Sequence, residues 1–84
     1  MPYQVIITES AQKSLRKLDK NIRDNIFNKL ESLKENPHIG KPLSANLSGF
    51  WSLRVGDYRV IYQIKNNELV ILVIGIGHRK NVYD

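Results

Sequence analysis

The chain reads IGIGHRKNVYD at residues 74–84, where a histidine, two cations and a phenol stand within six residues: His78, Arg79, Lys80 and Tyr83. A second group of the same character surrounds Gly56-Asp57, with Ser52 and Arg54 before it and Arg59 after it. A guanidinium holds a phosphate through paired hydrogen bonds and stabilises the charge that builds on its oxygens in a transition state. An imidazole moves protons near neutral pH. A phenol stacks on a base or donates a proton. With RNA, whose 2′-hydroxyl is a built-in nucleophile, this set suffices for strand cleavage without a metal. Residue types alone do not fix that reaction, since many basic proteins contain them.

Other chemistries lack their residues. Gly75-Ile76-Gly77 has neither the third glycine nor the following helix of a dinucleotide-binding loop. His38 and His78 are the only histidines, there is no cysteine, and no HExxH pattern or carboxylate cluster occurs. No metal and no cofactor is therefore expected, and a disulfide is impossible. Composition is that of a globular domain, 42% hydrophobic and 25% charged, and thirteen Lys and Arg against eight acids give a net charge of +5. Such a balance suits a polyanion or an acidic protein as partner, or simply a soluble basic surface. The amino-terminal MPYQVIITES has no secretory pattern and the longest apolar run is too short to cross a bilayer, so a cytoplasmic protein with no membrane partner is expected.

The elements that must position these side chains follow from spacing. YQVII at 3–7 is short and β-branched and predicts a strand. Thr8 is placed to cap a helix over 9–18 with Ala11, Leu15 and Leu18 inward, and Asp19 a second over 20–35 with Ile22, Ile26, Leu30 and Leu33 inward. Asn36-Pro37 stops that helix, and residues 37–50, with two prolines and two glycines, read as a loop. WSLRV and YRVIYQIK flank Gly56-Asp57 as a β-hairpin with a type II′ turn, and Asn66-Asn67 turns into ELVILVIGIG. The expected order is β-α-α-β-β-β. The fold class is α+β, one domain over residues 1–84, with a helix hairpin packed on one face of a mainly antiparallel sheet.

That turn sets the hairpin register. Val55 pairs with Tyr58, Arg54 with Arg59, Leu53 with Val60 and Trp51 with Tyr62. Trp51, Leu53, Val55, Tyr58, Val60, Tyr62 and Ile64 then share the core face, continued by Leu69, Ile71 and Val73. Ser52, Arg54, Arg59, Ile61, Gln63 and Lys65 share the other. Directly opposed arginines repel. They either serve a function or splay into water, where screening makes the repulsion small. Val70, Leu72 and Ile74 make the last strand apolar on its second side, which something must cover. Strict alternation puts His78 on the arginine face, but a bulge at Gly75 or Gly77 would reverse it, so its side is open at this point.

With the element order established, "GKPLSANLSGFWSLRVGDYRVIYQI" at 40–64 and "GHRKNVY" at 77–83 resemble the RelE/ParE superfamily of toxins from type II toxin–antitoxin systems. The resemblance covers almost the whole chain. It implies a fold related to small bacterial ribonucleases, and for RelE-type members an mRNA interferase that cuts message in the ribosomal A site without metal. Implied partners are the ribosome, mRNA and a cognate RelB-like antitoxin; the uncovered apolar positions and the charge of +5 predict that it is acidic, partly disordered and laid over Ile61, Leu72 and Ile74 or along the basic helix hairpin. By motif, Arg59 in "DYRVIY" and Arg79 in "GHRK" match catalytic arginines, and Tyr83 in "VY" matches a terminal tyrosine that stacks or protonates. Arg54, Lys80 and Ser52 are the expected RNA- or phosphate-binding residues. The best-studied RelE branch carries catalytic lysines where this chain has Phe50 and Ser52. The proton-transfer role therefore falls to His78 as candidate, with a structural histidine as the competing reading. The alternative function is a ParE-like toxin that poisons DNA gyrase without catalysis; a degenerate member acting only in an antitoxin-bound repressor is a third.

Overall fold

In the computed structural model, which describes residues 2–78, the Thr8 hydroxyl accepts a hydrogen bond from the Ala11 amide at 3.2 Å and opens α1, Glu9–Arg16. The helix ends two residues earlier than its apolar spacing suggests. Leu18 nevertheless packs on the core, and the Arg23 guanidinium donates to the Leu18 carbonyl left over at the turn. α2 follows as Lys20–Glu35. Asn36 ends it in extended backbone and accepts from the His38 amide, starting a 3₁₀ turn, Pro37–Ile39.

Among the described residues five strands form one sheet in the order β1-β5-β4-β3-β2. They are β1 Gln4–Ile7, β2 Lys41–Pro42, β3 Trp51–Val55, β4 Tyr58–Lys65 and β5 Val70–His78. β1 runs parallel to β5, and the other neighbours are antiparallel. Ala11, Leu15, Ile26, Leu30 and Leu33 from the helices meet Leu53, Val55, Val60, Tyr62, Ile71, Val73 and Ile76 from the sheet in one buried cluster. The expected helix hairpin on one face of an α+β sheet is what forms.

The β3–β4 register agrees with the sequence reading, Arg54 opposite Arg59 included. Gly56 has φ +61° and Asp57 has no positive φ, the signature of the type II′ turn. Four details differ. Residues 37–50 are not all loop, because Lys41 and Pro42 pair with Ser52 and Trp51 as an edge strand, where a proline is tolerated. Leu69 does not continue the core face: it takes a left-handed φ of +54° after the 3₁₀ turn Asn66–Glu68 and is exposed. Trp51 is only half-buried, stacked on Tyr62 at 6.3 Å and touched edge-on by His38 at 5.1 Å. Tyr58, though on the core-facing side, stands outside the buried cluster.

Tyr62 joins the core to the long connection. Its fully buried hydroxyl donates to the Pro37 carbonyl at 2.7 Å, and burial pushes its pKa above the ordinary tyrosine value of 10.0, with the Gly40 backbone pulling the other way. A Cβ on Gly40 would lie 2.6 Å from the Tyr62 oxygen and 2.7 Å from the Ser52 carbonyl oxygen. Backbone cannot yield as a flexible side chain would, so Gly40→Ala should cost about 1–3 kcal/mol. Urea unfolding, compared with wild type, measures it; an unchanged midpoint would show that β2 is not packed this closely.

Candidate active site

Arg59 and Arg54 are opposed across the hairpin, yet their side chains leave each other. Arg54 is exposed and its Nε donates to the Gly56 carbonyl at 3.2 Å, curling along its own turn. Arg59 is half-buried, and its Nη1 donates to the Ser52 hydroxyl at 3.4 Å. This divergence lowers the repulsion that the register alone would impose. Ser52 is only 4% exposed, the one buried polar residue among those described. As a direct phosphate ligand it is therefore poorly exposed; what it touches is Arg59.

β5 forms the floor beside Arg59. Gly77 is Arg59's cross-strand partner and Gly75 is that of Ile61. Among the described residues, a Cβ on Gly75 would meet only Ile61 Cβ, at 3.9 Å. The reversal of parity occurs earlier than the glycines. Ile61 pairs with Gly75 and Tyr62 with Val73, which leaves Ile74 as the extra residue of a bulge. Val73 and Ile76 consequently both face the core. His78 pairs with Tyr58 and sets its ring edge-on to Tyr58 at 5.6 Å, on the side opposite Arg59. The structure thus brings Ser52, Arg54 and Arg59 to one face and does not bring His78 to it. Arg79, Lys80 and Tyr83 lie outside the described residues.

The sequence reading missed Lys41. It pairs with Ser52, so it shares the register face of Arg54 and Arg59 and is exposed. The signal was hidden because a two-residue strand containing proline has no periodicity to detect. Ile61, expected to be open for a partner, is already buried, while Leu72 and Ile74 are partly buried. Among the described residues the exposed large apolar side chains are Ile6, Phe27, Ile39 and Leu69.

Three cations sharing one register face suit a chain of phosphates better than a small molecule, which concave pockets enclose. The hollow of about 390 Å³ lined by Val5, Ile7, Phe27, Leu30, Glu31 and Lys34 lies on the helix side, away from these residues. Arg54 and Lys41 hold exposed charge, so they should position the polyanion rather than take part in bond breaking. Arg54→Ala should raise KM for an RNA substrate several-fold with a smaller change in kcat, and lower the salt slope of binding by about 1. A filter-binding salt titration beside steady-state cleavage checks this; a loss confined to kcat would contradict it.

Comparison with known proteins gives a consistent placement. The family described as the ParE toxin of type II toxin-antitoxin system, parDE, matches residues 5–83. Toxin RelG of Mycobacterium tuberculosis is 33% identical over 85 residues, covering 99% of this chain and 98% of that one. The mRNA interferase toxin RelE of Escherichia coli is 30% identical over 82 residues, covering 95% and 86%. Among solved structures, the toxin–antitoxin complex RelBE2 of M. tuberculosis superposes with a TM-score of 0.88 at 32% identity, covering 94% of this chain and 100% of that one. Fold, hairpin register and these matches agree: the chain belongs to the RelE/ParE family of type II toxin–antitoxin toxins.

Proposed function

We propose that this protein is the toxin of a type II toxin–antitoxin pair and an endoribonuclease that cleaves mRNA, acting in the cytoplasm on message in the ribosomal A site. The observation that carries the reading is Arg59, half-buried and tied to Ser52 on the face it shares with Arg54 and Lys41, in a chain 30% identical to an mRNA interferase. In the reaction, the 2′-oxygen of the RNA attacks the adjacent phosphorus as the P–O5′ bond breaks. The 2′-hydroxyl loses a proton, the 5′-oxygen gains one, and a 2′,3′-cyclic phosphate remains. Arg59 stabilises the charge on the phosphate oxygens, and Arg79 is assigned the second such contact. Lys80 supplies a further phosphate contact.

For the proton at the leaving oxygen, Tyr83 is preferred to His78. The support for this is the β4–β5 register, which pairs His78 with Tyr58 and leaves Gly77 beside Arg59. A RelB-type antitoxin is the assigned partner, by analogy with the RelB-bound relatives, and an acidic one suits a chain of net charge +5. The match to a ParE-described family favours one second reading, a gyrase poison. Induction without antitoxin separates the two. A fall in translation with fragmented mRNA is expected; intact mRNA with a DNA-damage response would transfer the proposal to gyrase.

A further inference from the structure

The buried Ser52 hydroxyl has a position but, so far, no role. The sheet pairing does not itself call for serine, since its neighbours across the sheet are Lys41 and Ile61. Its oxygen instead meets the Arg59 guanidinium. An arginine on an open sheet face has four rotatable side-chain bonds, and a charge that must meet a transition state gains from having that freedom removed beforehand. Hydrogen bonds to charged groups are the stronger kind, and this one, long at 3.4 Å, is shielded from water at its serine end.

We infer that Ser52 is a positioning residue: its hydroxyl anchors the Arg59 guanidinium toward β3, so that the arginine meets the scissile phosphate preorganised. This rests on the proposed ribonuclease reading and adds to it a group that never touches the RNA. It also accounts for a serine at a position where a direct phosphate ligand would need to be exposed. The Ser52 oxygen acts only as an acceptor toward Arg59, so its effect must vanish when Arg59 is absent.

The test compares Ser52→Ala and Ser52→Thr in wild-type and Arg59→Ala backgrounds, using purified full-length protein. Ser52→Ala should lower kcat for mRNA cleavage on ribosomes by about 10–100-fold, the scale set by small misplacements of a catalytic group, with KM changed less than twofold. Ser52→Thr, which keeps the oxygen, should recover most of that loss. In the Arg59→Ala background the alanine change should cost nothing further. An equal loss in both backgrounds, or no loss in either, would overturn the assignment. Arg59 guanidinium NMR signals supply a readout that does not need RNA cleavage at all. Slowed rotation of the Arg59 Nη groups in wild type that is lost in Ser52→Ala supports the anchor, even if the protein cuts no RNA. Identical Arg59 signals in both proteins would overturn it, whatever the activity.

Discussion

Arg59→Ala should reduce mRNA cleavage by about 10²–10³ while the protein stays folded. That is the usual cost of deleting one donor that meets charge developing in a transition state. The residue's surroundings make the effect chemical rather than structural. Its backbone sits mid-hairpin between Tyr58 and Val60, so the strand pairing survives truncation, and its side chain lies outside the buried cluster. Truncation leaves the buried Ser52 hydroxyl without this donor, so thermal stability should fall modestly, by about 1 kcal/mol, with the fold retained. Single-turnover cleavage, with circular dichroism melts of the same preparation, measures both quantities. A variant that folds and cuts within a few-fold of wild type would move the catalytic charge elsewhere.

The largest effect on stability is expected at β5. Ile71 is fully buried in the strand that has β1 on one side and β4 on the other, and α1 packs against the same strand. Ile71→Ala deletes packing that neighbouring strands cannot collapse to replace, so about 2–5 kcal/mol should be lost. For a chain of 84 residues the whole stability is roughly 4–13 kcal/mol, so the variant stands at the edge of folding. Urea denaturation, read at equilibrium, reports the loss. Ile6→Ala, at a position 44% exposed, is the control and should cost far less. Equal losses at the two sites would mean that β5 is not the centre of the core.

What was legible in the sequence was whatever a strong local constraint fixed. The Gly56-Asp57 turn admits one register, and that register placed Arg54 against Arg59 and Ser52 on their face. The stripes of α2 were equally readable, since Ile26, Leu30 and Leu33 recur at helical spacing and all are buried. The bulge at Ile74 was not readable. Val70 to Ile74 are apolar at every position, so alternation, the only sequence signal of parity, is silent there. The side on which His78 falls depends on that single extra residue. Ser52 was misjudged for a related reason: a hydroxyl reads as solvent-facing until a partner such as Arg59 is placed beside it. β2 escaped because pairing with Trp51 and Ser52, a long-range contact, is all that makes Lys41-Pro42 a strand.

Cleavage of a defined mRNA on programmed ribosomes, mapped to the nucleotide, is the most direct test of the central claim that this face is a ribonuclease site. Wild type, Arg59→Ala and an Arg59→Ala, Arg79→Ala double variant are run with and without chelator, beside a gyrase supercoiling assay. Wild type should cut in the A-site codon with chelator present and leave a 2′,3′-cyclic phosphate, the variants should be 10²-fold slower or worse, on the order expected for lost charge stabilisation, and gyrase should be unaffected. Wild-type protein that leaves the message whole while stopping gyrase, or a folded double variant that cuts at the wild-type rate, would contradict the account.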